Sequence, residues 1–256
     1  MKPETRLIFP PVRLVSLFQG SRPTKPILLI SLHPTESPVK NQFATIVLAA
    51  GLSSRMNDWK PGLPWKGEPL ILHAIRPALA ESGQVILVGG HHLDDLRRLV
   101  EGGGWITEDG RKSLSVVENK EYSTGMFSSV QAGIRGLQGK VDGVFILPGD
   151  MPSIRATTYS ELVAAFEARL NDDVFSPALT LPSGESSREP RIKKGHPVLL
   201  RNRILKQLLA HDPRSVLRDV LRRFSSTLVV VEDPGIVVDV DVAGDFRRLE
   251  SFQRKD

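Results

Sequence analysis

Residues 45–60 read TIVLAAGLSSRMNDWK. Apolar Thr45–Ala49 has the form of a buried strand. It breaks into a loop of small residues, Ala50, Gly51, Ser53 and Ser54, followed by the cations Arg55 and Lys60. Small side chains let backbone N–H groups converge on an anion, because nothing beyond the backbone blocks the approach. The cations then neutralise what the N–H groups cradle, so the stretch reads as a polyphosphate site at a strand end. The plainer reading of the same residues is a solvated Ala-Gly-Ser turn flanked by basic residues. The pattern G-x-x-x-x-G-K-[ST] is absent from the chain and G-x-G-x-x-G is absent here, which argues against a P-loop ATPase and a dinucleotide dehydrogenase.

Beyond this loop, short apolar runs alternate with amphipathic stretches. Strands are expected at Thr45–Ala49, Gln84–Val88, Ser115–Glu118, Gly143–Leu147, Val174–Ser176, Pro197–Leu200, Thr227–Val231 and Ile236–Val238. Helices are expected at Pro69–Ala80, Leu93–Val100, Met126–Arg135, Thr157–Leu170, Arg203–Leu209 and Pro213–Arg223. Leu162, Val163, Phe166 and Leu170 recur at helical spacing, as do Leu205, Leu208 and Leu209, and Val216, Leu217, Val220, Leu221 and Phe224; these stripes predict core packing. Such alternation predicts an α/β fold with a mainly parallel sheet covered on both faces. Ligands of such sheets sit beyond the carboxyl ends of the strands, where the loop after Ala49 falls. Residues 178–195, rich in Ser, Gly, Pro and charge, form the longest break.

Composition narrows the classes. With 256 residues and 40% hydrophobic content the chain fits one large domain, and no apolar run reaches bilayer length, so a soluble protein without a membrane partner is expected. The absence of Cys excludes disulfides, thiolate catalysis and Cys-ligated zinc, and agrees with a reducing, cytoplasmic setting. A net charge of +5 suits a small polyanionic substrate; with 6% aromatics and no RNA-binding motif, a nucleic acid partner is not expected. Residues 1–42 carry Pro10, Pro11, Pro23, Pro26, Pro34 and Pro38 without a sustained period, and read as a partly ordered extension before a domain over 43–256.

Leu48, Ala49, Ala50, Gly51, Ser53, Arg55, Met56 and Lys60 fall on L-A-A-G-x-S-x-R-M-G-x-x-K, and the stretch resembles the opening signature of the MobA-like nucleotidyltransferases of molybdenum-cofactor biosynthesis. Asn57 stands where that family usually has Gly, and Asn is among the side chains that tolerate positive φ. The resemblance runs from about Ala44 to about Arg248, in motif order. It implies a three-layer Rossmann-like (GT-A-like) nucleotidyltransferase fold. It also implies transfer of a nucleoside monophosphate to molybdopterin with release of pyrophosphate. L-A-A-G is more typical of cytidine users in the family, which makes CTP the expected donor.

Further motifs carry the resemblance. Asn119, Tyr122, Gly125, Met126 and Ser129 fit N-x-x-Y-x-x-G-M-x-x-S, which in the family lies over the nucleotide; Ser128 or Ser129 falls in the first turn of a helix, and Asn119, Gly125 and Ser128 are candidate nucleotide-binding residues beside Leu48 to Lys60. Pro148-Gly149-Asp150-Met151-Pro152 closes a strand and places Asp150 on the family's metal-binding Asp, although Gly149 replaces a larger residue and an Asp before Pro152 also suits a plain turn. Val238-Asp239-Val240-Asp241 resembles the D-V-D tail. Asp239 and Asp241 share a face if extended; Asp239 is the favoured second metal ligand, and Asp241 also fits a helix cap. Gly195-His196-Pro197 resembles the acceptor-side G-H-P, while a single His is equally often structural; Arg188, Arg191, Lys193 and Lys194 precede it, either solvated or helping to hold the acceptor's phosphate.

The implied catalytic set is Arg55, Lys60 and Asp150, with Mg²⁺ on Asp150 and Asp239 as cofactor. The implied partners are a nucleoside triphosphate, a molybdopterin-type acceptor, and a molybdoenzyme or its maturation factor. Alternatives are a sugar-phosphate or alcohol-phosphate acceptor on the same fold, or a non-catalytic accessory protein for cofactor insertion.

Overall fold

The computed structural model describes residues 42–51, 59–101, 113–181 and 191–240, together with the backbone of 13–15 and 27–29. Its core is a ten-stranded sheet. The strands are β1 (Arg13–Val15), β2 (Ile27–Leu29), β3 (Phe43–Leu48), β6 (Gln84–Gly89), β7 (Leu114–Glu118), β8 (Gly143–Pro148), β9 (Val174–Leu181), β10 (Arg191–Lys194), β11 (Val198–Arg201) and β12 (Ser226–Val230); a small separate hairpin pairs β4 (Pro64–Trp65) with β5 (Glu68–Pro69). The order is β1-β2-β12-β9-β11-β8-β3-β6-β7, with β10 paired to β9. Contacts of β3 with β6 and β8, of β6 with β7, and of β12 with β2 and β9 are parallel. β11 runs antiparallel between β8 and β9, so the sheet is mixed but mainly parallel.

Both faces are covered because the central strands are apolar on both sides. In β3, Phe43 and Val47 face one layer while Ala44 and Ile46 face the other. The first layer is built by helices α1 (Leu70–Glu81), α2 (Leu93–Val100) and α4 (Ala156–Ala168), through Ile71, Ile75, Leu96, Leu162 and Phe166. The second is built by α3 (Met126–Arg135), α5 (Leu205–Ala210) and α6 (Leu217–Leu221), through Phe127, Val130, Leu208 and Val220. Each such side chain contributes about 1.5–3 kcal/mol by leaving water, and edge-on aromatic pairs such as Phe145–Tyr159, with centroids 4.9 Å apart, pack the centre. The result is the three-layer α/β architecture that the alternating pattern predicts. Among the described residues, no helix is long and apolar enough to cross a membrane.

Four expectations need correction. The strand expected at Ile236–Val238 is a 3₁₀ helix, Pro234–Val237, because Pro234 fixes its start and the Asp233 side chain accepts from the Gly235 N–H at 2.9 Å. The last expected helix shrinks to Leu217–Leu221, and Val216 lies outside it at 57% exposure. Leu170, placed in the core by spacing, is 69% exposed because α4 ends at Ala168. The break at 178–195 contains β10 and the end of β9, an edge hairpin whose charged residues carry no apolar alternation. In addition, β2 pairs with β12 (Leu228 opposite Ile27), so part of the Pro-rich extension adds to the outer edge of the sheet.

Candidate active site

The site forms at the carboxyl edge of the parallel strands. β3 and β8 run in register, Leu48 opposite Pro148, and the Gly149 N–H donates to the Leu48 carbonyl at 2.9 Å. The Ala49 N–H is taken by the Val88 carbonyl at 2.9 Å. These bonds fix the exit of β3: Ala50 is buried and Gly51 opens to solvent. Ser53, Ser54 and Arg55 lie outside the described residues. The chain resumes at Trp59, whose ring packs 5.5 Å from His92, and enters a 3₁₀ turn over Lys60–Gly62. Lys60 Nζ lies 3.9 Å from Asp150 Oδ2, with side-chain exposures of 12% and 32%. Their shielding from water strengthens this long ion pair.

The second carboxylate arrives from the end of the described chain. Val238 and Val240 bury against Trp65 and Leu70, which turns the intervening Asp239 outward. The Val240 N–H donates to the Asp150 carbonyl at 3.0 Å, bringing both acids to one edge. Asp241 lies outside the described residues.

The topology delivers the opposite wall. β11 is antiparallel to β8, so its first residue, Val198, faces Ile146 near the end of β8. The Gly195-His196 turn before it therefore reaches the same edge as Asp150. The Gly195 N–H donates to the Pro177 carbonyl at 2.8 Å and the His196 N–H to the Ile236 carbonyl at 2.9 Å. A Cβ on Gly195 would lie 2.1 Å from the Ile236 oxygen, so only Gly fits. His196 Nδ1 is buried without a hydrogen-bond partner. Burial pushes the imidazole below its usual range, against a hydrogen bond with the Ile146 backbone and the Asp239 charge, and the ring is neutral at pH 7.

These walls enclose a cleft of about 550 Å³ that gathers Leu48, Ala50, Gly51, Gly125, Asp150, Asp239, Gly195 and His196 from the expected set. Asn119 and Ser128 do not line it. Both are buried: the Asn119 amide donates to Ser128 Oγ at 2.8 Å and to Ser129 Oγ at 2.9 Å, while its Oδ1 accepts from the Glu121 N–H at 3.0 Å. They hold the turn that presents Gly125, whose φ of +135° suits Gly. Of the two serines in that first turn, Ser129, at the motif's own position, lines the cleft, whereas Ser128, the chosen candidate, does not.

Among the described residues, no three metal-ligating side chains cluster. Two carboxylates on one cleft nonetheless fit a hard cation such as Mg²⁺, which usually takes one or two carboxylates and completes its shell with phosphate oxygens and water.

Residues 45–228 match the MobA-like NTP transferase domain. The chain belongs to that family. It is a nucleotidyltransferase. It is 27% identical over 201 residues to the molybdenum cofactor cytidylyltransferase of Escherichia coli strain K12, covering 78% of this chain and 92% of that protein. Among solved structures, Rv0371c of Mycobacterium tuberculosis H37Rv superposes with a TM-score of 0.63 at 21% identity, covering 83% of this chain and 98% of that one. CMP:2-keto-3-deoxy-manno-octonic acid synthetase in complex with CTP superposes with a TM-score of 0.63 at 16% identity, covering 84% and 99%. At those identities the two structures establish the shared fold.

Sequence reasoning missed two further contributors. Trp59, just before Lys60, packs against His92, and an aromatic beside a motif Lys was the available signal. Asp233 is 3% exposed and its carboxylate accepts from the Arg155 N–H at 2.8 Å, Thr158 Oγ1 at 2.7 Å and the Gly235 N–H at 2.9 Å. It ties the segment bearing Asp239 to the start of α4, which follows Asp150. No local motif marks such a long-range tie.

Proposed function

We propose that this nucleotidyltransferase transfers CMP from CTP to the phosphate of molybdopterin and releases pyrophosphate. The observation that carries the reading is the convergence, on one cleft, of the β3 loop, the Asp150–Asp239 pair and the Gly195-His196 turn. The relationship to a molybdenum cofactor cytidylyltransferase supports the choice of both substrates.

The acceptor phosphate oxygen forms a bond to the α-phosphorus as the bond between that phosphorus and the α–β bridging oxygen breaks. The electron pair leaves with pyrophosphate. The nucleophile is already ionised, so no general base is needed. Catalysis then rests on in-line positioning and charge neutralisation. Backbone N–H groups of the loop at Gly51, with Ser53 and Ser54, would orient the triphosphate. Lys60, with Arg55, would neutralise charge developing on it. Asp150 and Asp239 would hold Mg²⁺, which when bound supplies further charge neutralisation at the phosphates. Gly125 would border the nucleotide on the turn that Asn119 and Ser128 hold, and His196 would border the acceptor as a neutral ring. The product is destined for a molybdoenzyme or its maturation factor.

Choice of base rests on Ala50. It is 3% exposed, and its carbonyl sits against Gly90, where a Cβ would stand 2.8 Å away and does not fit. A pyrimidine tolerates this wall better than a purine. One such contact discriminates by roughly 10- to 200-fold. Pyrophosphate release from each of the four triphosphates, with and without molybdopterin, tests the reading. The expected result is molybdopterin-dependent release that prefers CTP over GTP and is relaxed, not reversed, in Ala50→Gly. Equal use of CTP and GTP would refute the base assignment, and release only with a sugar-phosphate or alcohol-phosphate would refute the acceptor.

A further inference from the structure

The segment that carries Lys60 continues into a hairpin that the proposed chemistry does not use. After the Lys60–Gly62 turn the chain forms β4 and β5, in which Trp65 pairs with Glu68 across Lys66 and Gly67, both at positive φ. The hairpin is fastened to α1. The Glu68 carboxylate accepts from Arg76 Nη2 at 2.6 Å. The His73 ring packs edge-on against Trp65, with centroids 4.5 Å apart, and its Nε2 donates to the Trp65 carbonyl at 2.9 Å. Because α1 buries Ile71, Ala74, Ile75 and Ala78, Trp65 is seated on a helix that cannot shift freely.

Trp65 is buried together with Leu70, Val238 and Val240. Val238 is extended, with φ −113° and ψ 108°, and alternate residues of an extended chain point to opposite sides. Seating Val238 and Val240 in this small core therefore aims Asp239 at the cleft, which it lines. A slip of one residue would bury the carboxylate and expose both valines. The Val240 N–H donates to the Asp150 carbonyl at 3.0 Å, and Asp150 Oδ2 lies 3.9 Å from Lys60 Nζ. Lys60, Trp65, the Asp239 segment and Asp150 thus close a circuit of contacts along one edge of the cleft. The link at Trp65 works by shape, since the buried indole Nε1 has no hydrogen-bond partner among the described residues.

We infer that Trp65 is a positioning residue for the metal site: by holding Val238 and Val240 it fixes the direction of the Asp239 carboxylate and its place beside Asp150, without itself touching metal or substrate. This rests on the reading of Asp150 and Asp239 as the metal-binding pair, but on neither CTP nor molybdopterin as substrate. Two carboxylates bind a cation well only where the fold already holds them in place, because ordering them on binding costs affinity. Loss of groups that orient metal ligands typically lowers metal affinity by roughly 10- to 100-fold.

The test titrates the full chain, without nucleotide, with Mn²⁺ as the probe and follows free Mn²⁺ by electron paramagnetic resonance. Melting temperatures are recorded alongside. The wild type is expected to bind Mn²⁺, and Asp239→Asn to weaken that binding. Trp65→Leu, and Val240→Ala from the other side of the contact, should each weaken it about 10-fold at temperatures where circular dichroism shows a folded protein. Trp65→Phe keeps a flat ring and loses only an unpartnered N–H, so it should bind Mn²⁺ nearly as tightly as the wild type. If Trp65→Leu and Val240→Ala melt earlier yet bind Mn²⁺ as the wild type does, the positioning role is overturned and the metal pair stands. A Trp65→Phe protein as weak as Trp65→Leu would trace the effect to the indole N–H and would also overturn it. A wild type that binds no Mn²⁺, or Asp239→Asn that binds it unchanged, would remove the metal pair and the role with it.

Discussion

The two walls of the cleft are built on opposite principles. The wall proposed to hold the donor comes from β3, β6 and β8, which run parallel, are buried on both faces and end at one edge. The exits of β3 and β8 place Ala50 and Asp150 at that edge, and Lys60 meets Asp150 there from the turn that follows Trp59. The wall proposed to face the acceptor comes from β9, β10 and β11, where strand direction reverses. That reversal brings the start of β11, rather than its end, to the active edge. A parallel α/β half thus supplies one wall of the cleft, proposed above to hold the nucleotide, and antiparallel strands inserted beside it supply a second wall facing the same point.

If this division is right, the largest effects belong to the donor wall. Asp150→Asn keeps the size of the side chain and removes its charge. Turnover should fall by roughly 10³-fold, the scale on which loss of one electrostatic contact to the transition state acts, while the melting temperature moves by no more than a few degrees. A variant that responds to Mg²⁺ as the wild type does would reduce Asp150 to a turn residue. Lys60→Ala should cost roughly 10²-fold in kcat, measured at saturating acceptor and in a protein of unaltered circular dichroism. A near-normal rate would remove Lys60 from the catalytic set.

The seam between the halves should show in stability first. Asp233→Ala strips partners from two backbone N–H groups and a hydroxyl that lie in or beside the core. A loss of about 2–3 kcal/mol in urea unfolding is expected, together with a higher Mg²⁺ concentration for half-maximal activity, because Asp239 loses its support. Unchanged metal dependence in the folded variant would show that Asp233 holds only α4.

The smallest effect is a pH dependence near the same seam. Burial, then the Asp233 and Glu232 charges, push the Glu161 carboxyl up to about 7 from its ordinary 4.5. The fold favours the protonated form. This group's contribution is therefore fully present below pH 4.5 and is lost as pH rises toward 7. Glu161→Gln should melt higher than the wild type at pH 8, with the difference closing below pH 4.5. A constant difference across pH would mean that Glu161 does not titrate in this window.

The same contrast governs what could be read from the chain. β3, β6 and β8 announce themselves as unbroken apolar runs because both of their faces are buried. β10 reads as a loop because its Arg-Ile-Lys-Lys sequence lies at an edge, where water accepts charge on either face. The 3₁₀ turn at Pro234–Val237 reads as a strand because its Ile and Val are buried by tertiary contacts, not by sheet pairing. In the site, Gly51, Asp150 and Asp239 are legible because each lies at a break in an apolar pattern. The choice between Ser128 and Ser129 is not: Asn119 binds both serine hydroxyls, and only the direction of the first turn of α3 decides which serine meets the cleft.

The central claim is that the two walls bring an acceptor phosphate to the α-phosphorus of CTP. The fate of label in a single turnover tests this most directly. CTP labelled at the α-phosphate and CTP labelled at the γ-phosphate are each incubated with the protein, Mg²⁺ and molybdopterin. The account predicts that the α label moves to the molybdopterin product, in amounts equal to the pyrophosphate formed, and that the γ label moves only to pyrophosphate. Transfer of the γ label to the acceptor, or release of the α label as free CMP without an acceptor product, would contradict it.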